Sequence, residues 1–187
     1  MPRDKIIKIL ALSGSLRKDS YNTMLLNAIS QLVPNEIEFV IFNDAAKIPL
    51  FNPDHDNHSI PVINTLRTLL KKSDGLLISS PEYAHGISGV LKNMLDWLVS
   101  GDEFPYIPVV LCNTSPRASH ALIALREVIS TMSGITIDNA TITLPLLGTD
   151  NNVDTIVNNT TMSTHIRDNM EIFRNEILQS SRLNKTY

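Results

Sequence analysis

The chain has 187 residues, of which 43% are hydrophobic and 19% are charged. At about 150 residues per domain this length predicts one domain, residues 1–187, and the composition argues against a disordered chain. The net charge of −3 makes neither a nucleic acid nor a membrane surface an expected partner, and the one cysteine excludes an intramolecular disulfide and a thiolate zinc cage.

The N-terminal segment places Arg3 and Lys5 before an apolar stretch, as a signal peptide would. Lys8 interrupts that stretch, and no small-residue cleavage site follows an apolar core, so we predict no signal peptide. The longest apolar runs are too short to span a bilayer. We therefore expect a cytoplasmic protein without a membrane partner.

Short apolar runs alternate with apolar residues at helical spacing along the chain. The runs predict five strands: Ile6–Leu12, Ile37–Phe42, Gly75–Ser80, Ile107–Cys112 and Ile135–Leu144. The helical spacing covers residues 24–33, 62–70, 90–98, 121–132 and 166–177. Strands that are apolar throughout suit a sheet covered on both faces. The alternation predicts an α/β fold, a three-layer sandwich with a five-stranded parallel sheet and helices on both faces.

Three loops follow predicted strands, at the sheet edge where open α/β folds bind ligands. They are Ser13–Asn22, Pro81–Ser88 and Asn113–Ser119. The first leads into a helix that Ser20 or Asn22 can cap. Its hydroxyls, backbone N–H groups and Arg17 guanidinium suit a phosphate monoester at a helix N-terminus. It matches neither the Walker A loop nor GxGxxG, which disfavours ATP or an adenine dinucleotide bound in the usual way.

The second loop offers one flat aromatic ring, that of Tyr83, and backbone amides beside Gly86 that can face a planar heterocycle. A structural turn with one exposed tyrosine explains the same residues. The second loop alone therefore leaves both interpretations open.

Taken together, the first two loops and the helix after them resemble a known family. Residues 14–17 (Gly-Ser-Leu-Arg), 81–83 (Pro-Glu-Tyr) and 90–97 (Val-Leu-Lys-Asn-Met-Leu-Asp-Trp) are similar to motifs of the NADPH-dependent FMN reductases. That family includes bacterial quinone, chromate and azo-dye reductases, and the resemblance covers residues 6–132. It implies a flavodoxin-like fold, bound FMN, NADPH or NADH as electron donor, and a homodimer or homotetramer with the flavin near a subunit interface.

The resemblance also implies which residues bind the cofactor. The positions that match the FMN-phosphate site, with their neighbours, are Ser15, Leu16, Arg17, Ser20, Tyr21 and Asn22. The positions that match the isoalloxazine and ribityl site, with one from the third loop, are Pro81, Glu82, Tyr83, Ala84 and Ser115. No catalytic side chain and no metal ligand is implied, because the cofactor carries the reaction.

Three features depart from the family pattern. Ala84 stands where many members have asparagine, and Ser88 stands where many have proline. The third loop, Thr114–His120, lacks the usual pair of glycines. None of these departures changes a residue of the predicted phosphate site. They fall at positions that we expect to affect how the nicotinamide docks and which acceptor the protein prefers.

The resemblance implies a ping-pong reaction, with hydride passing from nicotinamide C4 to FMN N5. A quinone, azo compound, flavin or metal oxyanion then enters the same space and takes the electrons. A flavodoxin-type electron carrier stays open as an alternative, although such carriers are usually more acidic and richer in aromatic residues around the flavin. A flavin-free regulator that kept the fold is a third possibility.

Other chemistry-bearing residues have simpler explanations. The tract Asp54–His58 contains potential metal ligands, but its turn-forming composition predicts an exposed loop. Cys112 ends a buried strand, so we expect an inert core thiol. Ser15, Asp19 and His120 could suggest a hydrolytic triad, but the chain has no Gly-x-Ser-x-Gly elbow to support one.

Overall fold

The computed structural model describes residues 6–55, 59–115 and 119–183, with side chains to residue 180. The strands are β1 (Ile7–Ser13), β2 (Ile37–Phe42), β3 (Gly75–Ser79), β4 (Glu82–Tyr83), β5 (Gly86–Ile87), β6 (Pro108–Asn113), β7 (Ile135–Thr136) and β8 (Ile142–Thr143). The main sheet has the order β2-β1-β3-β6, and both β7 and β8 pair with the outer side of β6. All of its pairings are parallel. This is the flavodoxin-like order, as predicted.

The helices are α1 (Tyr21–Leu32), α2 (Pro61–Lys71), α3 (Gly89–Leu98), α4 (Ser119–Thr131), α5 (Val153–Asn158) and α6 (Thr160–Leu183). Buried side chains of α1, α5 and α6 pack on one face of the sheet, and those of α2, α3 and α4 pack on the other. Within β1, Ile9 and Ala11 join the first core while Leu10 and Leu12 join the second. This double burial explains the continuous apolar runs and confirms the three-layer prediction.

The predicted fifth strand is interrupted. It forms β7 and β8, separated by a 3-10 turn at Asp138–Ala140. The turn begins with Asp138 and Asn139, side chains that favour turns, and the Asp138 carboxylate accepts a hydrogen bond from Arg126 Nε at 2.9 Å. The two short strands therefore fill one position in the sheet, beside opposite ends of β6.

The region after β8 contains more helix than the sequence analysis predicted. Asn152 and Thr155 form a reciprocal capping box that starts α5, and α6 begins at Thr160. The Asn-x-x-Thr spacing is the signal that would have located α5. Among the helices that the structure describes, none is long and apolar enough to cross a membrane.

Candidate functional site

A cavity of about 300 Å³ opens at the carboxyl ends of β1, β3 and β6. It lies where the sheet order reverses, with β2 on one side of β1 and β3 on the other. The predicted residues that line it are Ser15, Arg17, Ser20, Tyr21, Asn22, Pro81, Glu82, Tyr83 and Ser115, whereas the predicted Leu16 and Ala84 do not. The lining residues that the sequence analysis missed are Ser80, Asn113, Thr114 and Leu147.

The first loop presents hydrogen-bond donors at the start of α1. Of the two predicted caps, Ser20 is the one observed: its Oγ accepts a hydrogen bond from Thr23 N at 3.4 Å. Ser15 Oγ accepts from Arg17 N at 3.3 Å. Arg17 is exposed, and its guanidinium forms no ion pair with the parts of the chain that the structure describes. The combination suits an anion beside a helix N-terminus.

Asn22 is a buried residue within α1 rather than its cap. Its Oδ1 accepts hydrogen bonds from Ser79 Oγ at 2.8 Å and Thr114 Oγ1 at 3.3 Å. The side chain therefore ties α1 to the ends of β3 and β6. Because the oxygen is engaged, the amide NH₂ is the group that Asn22 has left to donate to a ligand.

Tyr21 joins α1 to the segment after β8. Its Oη donates a hydrogen bond to Thr149 O at 3.1 Å. The same segment is fixed to the third loop, since the backbone nitrogens of Leu146 and Leu147 both bond to Thr114 O. These contacts bring Leu147 to the cavity wall. Its position beyond the carboxyl end of the fifth strand is the sequence signal that could have found it.

Ser88 connects the first two loops. Its Oγ donates to Gly14 O at 2.6 Å and accepts from Leu91 N at 3.2 Å, so it also caps α3. Gly14 is required at this approach, because an added Cβ would lie 2.8 Å from Ser80 Cβ and 2.9 Å from Ser88 Oγ. Proline, the residue that the family resemblance led us to expect at position 88, has no hydroxyl to make either hydrogen bond.

The second loop is a hairpin formed by β4 and β5. Its central residues, Ala84 and His85, have φ angles of 49° and 60°. Positive φ at both central positions defines the type I′ turn, which favours asparagine and glycine. Ala84 thus lies at the hairpin tip and is not among the residues that line the cavity, whereas Tyr83 is and is 59% exposed.

The hairpin is anchored to the start of α4. Glu82 Oε2 accepts a hydrogen bond from Ala121 N at 2.9 Å, and the rings of His85 and His120 stack with centroids 4.3 Å apart. A carboxylate is favourable at a helix N-terminus. Glu82 therefore fixes the second loop against the third. Pro116–Ala118, at the centre of the third loop, lie outside the described residues.

Two other predictions concern residues near the sheet. Cys112 is buried, and burial raises the pKa of its thiol well above the usual range, so the thiol stays protonated at neutral pH. In the tract Asp54–His58, predicted to be an exposed loop, Asp54 and His55 are exposed and Asp56–His58 lie outside the described residues. Among the residues that are described, no group of three or more His, Cys, Asp or Glu side chains is arranged to hold a metal ion.

The sequence model of a family described as NADPH-dependent FMN reductase matches residues 7–146. The chain belongs to this family. The match contains every strand of the main sheet and all the residues that line the cavity except Leu147. FMN is the cofactor of this family, whose members are oxidoreductases.

Individual relatives and solved structures agree with this assignment. A 2-hydroxy-1,4-benzoquinone reductase from a Burkholderia species is 41% identical over 91 residues, 49% of each chain. The chain spans about half the length of the curated relatives it matches. FerB, the flavoenzyme NAD(P)H:(acceptor) oxidoreductase from Paracoccus denitrificans, has a TM-score of 0.82 at 21% identity, with 93% of this chain and 98% of that chain covered. An archaeal flavodoxin has a TM-score of 0.55 at 13% identity, with 90% of this chain and 99% of that chain covered. Both likenesses support the flavodoxin-like fold.

The residues present fit FMN. The guanidinium of Arg17 and the N-terminus of α1 offer charge and donors to a phosphate. The Pro81–Tyr83 segment lines the same cavity and offers one exposed ring to a flat heterocycle.

Proposed function

We propose that this chain is an FMN-dependent NAD(P)H oxidoreductase that reduces a small acceptor of the quinone, azo, flavin or metal-oxyanion class. The observation that carries the proposal is a cavity at the switch point that is lined both by the anion donors of the first loop and by Pro81–Tyr83. Bound FMN would supply the hydride chemistry that joins a nicotinamide donor to the acceptor.

The chain's own residues hold the phosphate. The hydroxyls of Ser15 and Ser20 accept hydrogen bonds from backbone N–H groups, which leaves their O–H protons to donate to phosphate oxygens. Arg17 supplies charge and a planar set of donors, and the Asn22 NH₂ group adds a further donor. These groups bind and orient the cofactor without taking part in bond making.

The residues of the second and third loops that line the same cavity offer a surface against which a flat ring can lie. The hydrogen bond to Ala121 holds the Glu82 carboxylate as an anchor, so we assign it no proton transfer. The exposed ring of Tyr83 borders the solvent side, where donor and acceptor would enter. A donor and an acceptor that both enter there would use the same space in succession, as the ping-pong order requires.

We also propose a homodimer or homotetramer in the cytoplasm. Leu50 is 84% exposed, and the segment that carries it is held to α3. Asn93 Oδ1 accepts from Phe51 N, Asn93 Nδ2 donates to Pro49 O, and Trp97 Nε1 donates to Pro49 O. Leu50 and its neighbour Phe51, which is 38% exposed, give this segment a contiguous apolar surface, and we assign that surface to a contact with a second copy of this chain.

The test is an absorption spectrum of the purified protein with and without added FMN, followed by anaerobic addition of NADPH or NADH. We expect the protein to show the absorption spectrum of bound flavin, and we expect that absorption to bleach when the donor is added. Bound flavin that neither donor bleaches would favour a flavodoxin-type electron carrier. No flavin binding would contradict the assigned site and favour the flavin-free regulator.

A further inference from the structure

The hairpin of β4 and β5 is held only weakly by its own structure. Its strands form two residue pairs and lie outside the main sheet, and a two-stranded hairpin is marginally stable on its own. The turn adds strain, because Ala84 and His85 both have positive φ, where residues other than glycine pay a steric cost. Ser88 fixes the base of the hairpin to the first loop. The position of the tip therefore depends on contacts with other segments.

Two contacts join the hairpin to the start of α4. The Glu82 carboxylate accepts a hydrogen bond from Ala121 N, one of the first-turn N–H groups that have no partner within their own helix. The rings of His85 and His120 stack at an interplanar angle of 13°, with their centroids 4.3 Å apart. The second contact lies at the tip, where the strained turn needs support.

The apolar packing between the hairpin and α4 is incomplete. A small cavity of about 10 Å³ is lined by Ile87 of the hairpin and by Ala121, Leu122 and Leu125 of α4. The side chains around a void lose the van der Waals contacts that a filled space would provide. Packing therefore holds the hairpin less firmly than a filled contact would, and the stacked rings take a larger share of that task.

The stack lies outside the cavity assigned to the flavin, but the hairpin that it holds carries Glu82 and Tyr83, which line that cavity. We propose that His85 and His120 are positioning residues, whose stack keeps the hairpin in the orientation that receives the flavin ring. The stack holds as long as the two rings do not both carry a charge. The inference rests on the proposed flavin site.

The charge on the stack depends on pH, because histidine is the side chain that ordinarily gains or loses its charge between about pH 5 and 8. Arg126 pairs with Asp138, and Arg117 lies outside the described residues. A carboxylate can balance one charged ring, but a charge on each of two stacked rings is repulsive. We therefore expect the hairpin to loosen as the pH falls. Besides the two histidines, the ionisable side chains of the hairpin and α4 are Glu82, Tyr83, Arg126 and Glu127.

The test is a fluorescence titration with riboflavin, which carries the ring without the phosphate and so avoids the titration of the FMN phosphate. His120→Ala removes the stack, and His120→Phe keeps an aromatic ring that takes up no proton. At about pH 8 we expect the alanine variant to bind riboflavin about threefold to tenfold more weakly than the original chain, because a hairpin that is partly open binds in proportion to its closed fraction. At about pH 5 the original chain should weaken by a similar factor, whereas His120→Phe should keep its affinity.

Hydrogen exchange of the Ala121 amide gives a readout without ligand. Its protection should fall in His120→Ala and persist in His120→Phe. Equal riboflavin affinities of the three chains at both pH values would overturn the inference and leave the flavin site standing. A loss of affinity at low pH that His120→Phe shares would also overturn it, because another group would then be responsible. Absence of FMN binding by the original chain would instead contradict the proposed function, and the exchange of the Ala121 amide would still decide whether the stack positions the hairpin.

Discussion

The hydroxyl of Ser88 lies 2.6 Å from the backbone oxygen of Gly14, to which it donates a hydrogen bond. Ser88 Oγ also accepts a hydrogen bond from Leu91 N, and it thereby caps the N-terminus of α3. One buried side chain thus fixes the relative position of the loop assigned to the phosphate and the loop assigned to the flavin ring. In this chain a hydroxyl performs that task at the position where the family resemblance led us to expect proline.

Ser88→Ala should therefore destabilise the protein. The change leaves Gly14 O and Leu91 N without their side-chain partner, and we expect the free energy of unfolding to fall by about 1–3 kcal/mol. Chemical denaturation followed by circular dichroism measures the loss. Ser30→Ala is the control, because Ser30 bonds only to Asn27 O on the exposed side of α1. Equal midpoints for the two variants would show that the Ser88 contacts contribute no net stability.

Arg17→Ala should reduce the amount of FMN that purifies with the protein. The variant removes the charge that faces the phosphate but leaves the Ser20 cap and the buried Asn22 contacts unchanged. A charge-assisted contact contributes about 1.5–3 kcal/mol, so the dissociation constant for FMN should rise about tenfold or more. Flavin absorbance per protein chain and a fluorescence titration measure the change. Arg17→Lys should recover part of the affinity, and full flavin occupancy in the alanine variant would contradict the assignment.

Ala84→Gly should stabilise the hairpin. Alanine pays a steric cost in the left-handed region, about 1–2 kcal/mol, whereas glycine does not. Glycine also loses more entropy on folding, so we expect a net gain of about 0.5–1 kcal/mol in the free energy of unfolding. Ala46→Gly, at an exposed turn position without positive φ, should give no gain. A gain at position 46 equal to that at position 84 would point to a general effect of glycine.

Leu50→Glu should dissociate the proposed oligomer. A carboxylate in place of an exposed leucine would bury a charge in an apolar contact, which is unfavourable without a partner. Light scattering after size-exclusion chromatography gives the mass of the particle. Gln31→Glu, at an exposed polar position on α1, is the control for a change of surface charge alone. If both variants keep the mass of the unaltered protein, Leu50 does not lie in the interface.

Much of the fold could be predicted because its signals are local. Buried strands give continuous apolar runs, and helices give apolar spacing on one face. The contacts that shape the cavity are not local. Asn22 bonds to Thr114, 92 positions further along the chain, and neither local spacing nor helix propensity distinguishes this role from capping. The motif resemblance found the cavity residues, while their hydrogen bonds emerged only from the structure.

The predictions that needed correction involve short elements. The fifth strand was predicted as continuous because Ile135–Leu144 is rich in β-branched residues, which also fit the two short strands with a turn between them. The helix α5 has six residues, too few to produce clear apolar spacing. Leu147 reaches the cavity because backbone bonds to Thr114 O place it there. The turn after β7 and the position of Leu147 thus involve hydrogen bonds to other segments of the chain, from Arg126 and to Thr114, whereas α5 begins at a local capping box.

The burial of Cys112 has a practical consequence for labelling. Its side chain is 1% exposed and its thiol is protonated at neutral pH, so alkylating dyes have no target on the folded chain among its natural residues. A cysteine introduced on the surface would consequently be the single site of attachment. Fluorophores and spin probes can therefore be attached beside the cavity assigned to the flavin without first replacing Cys112.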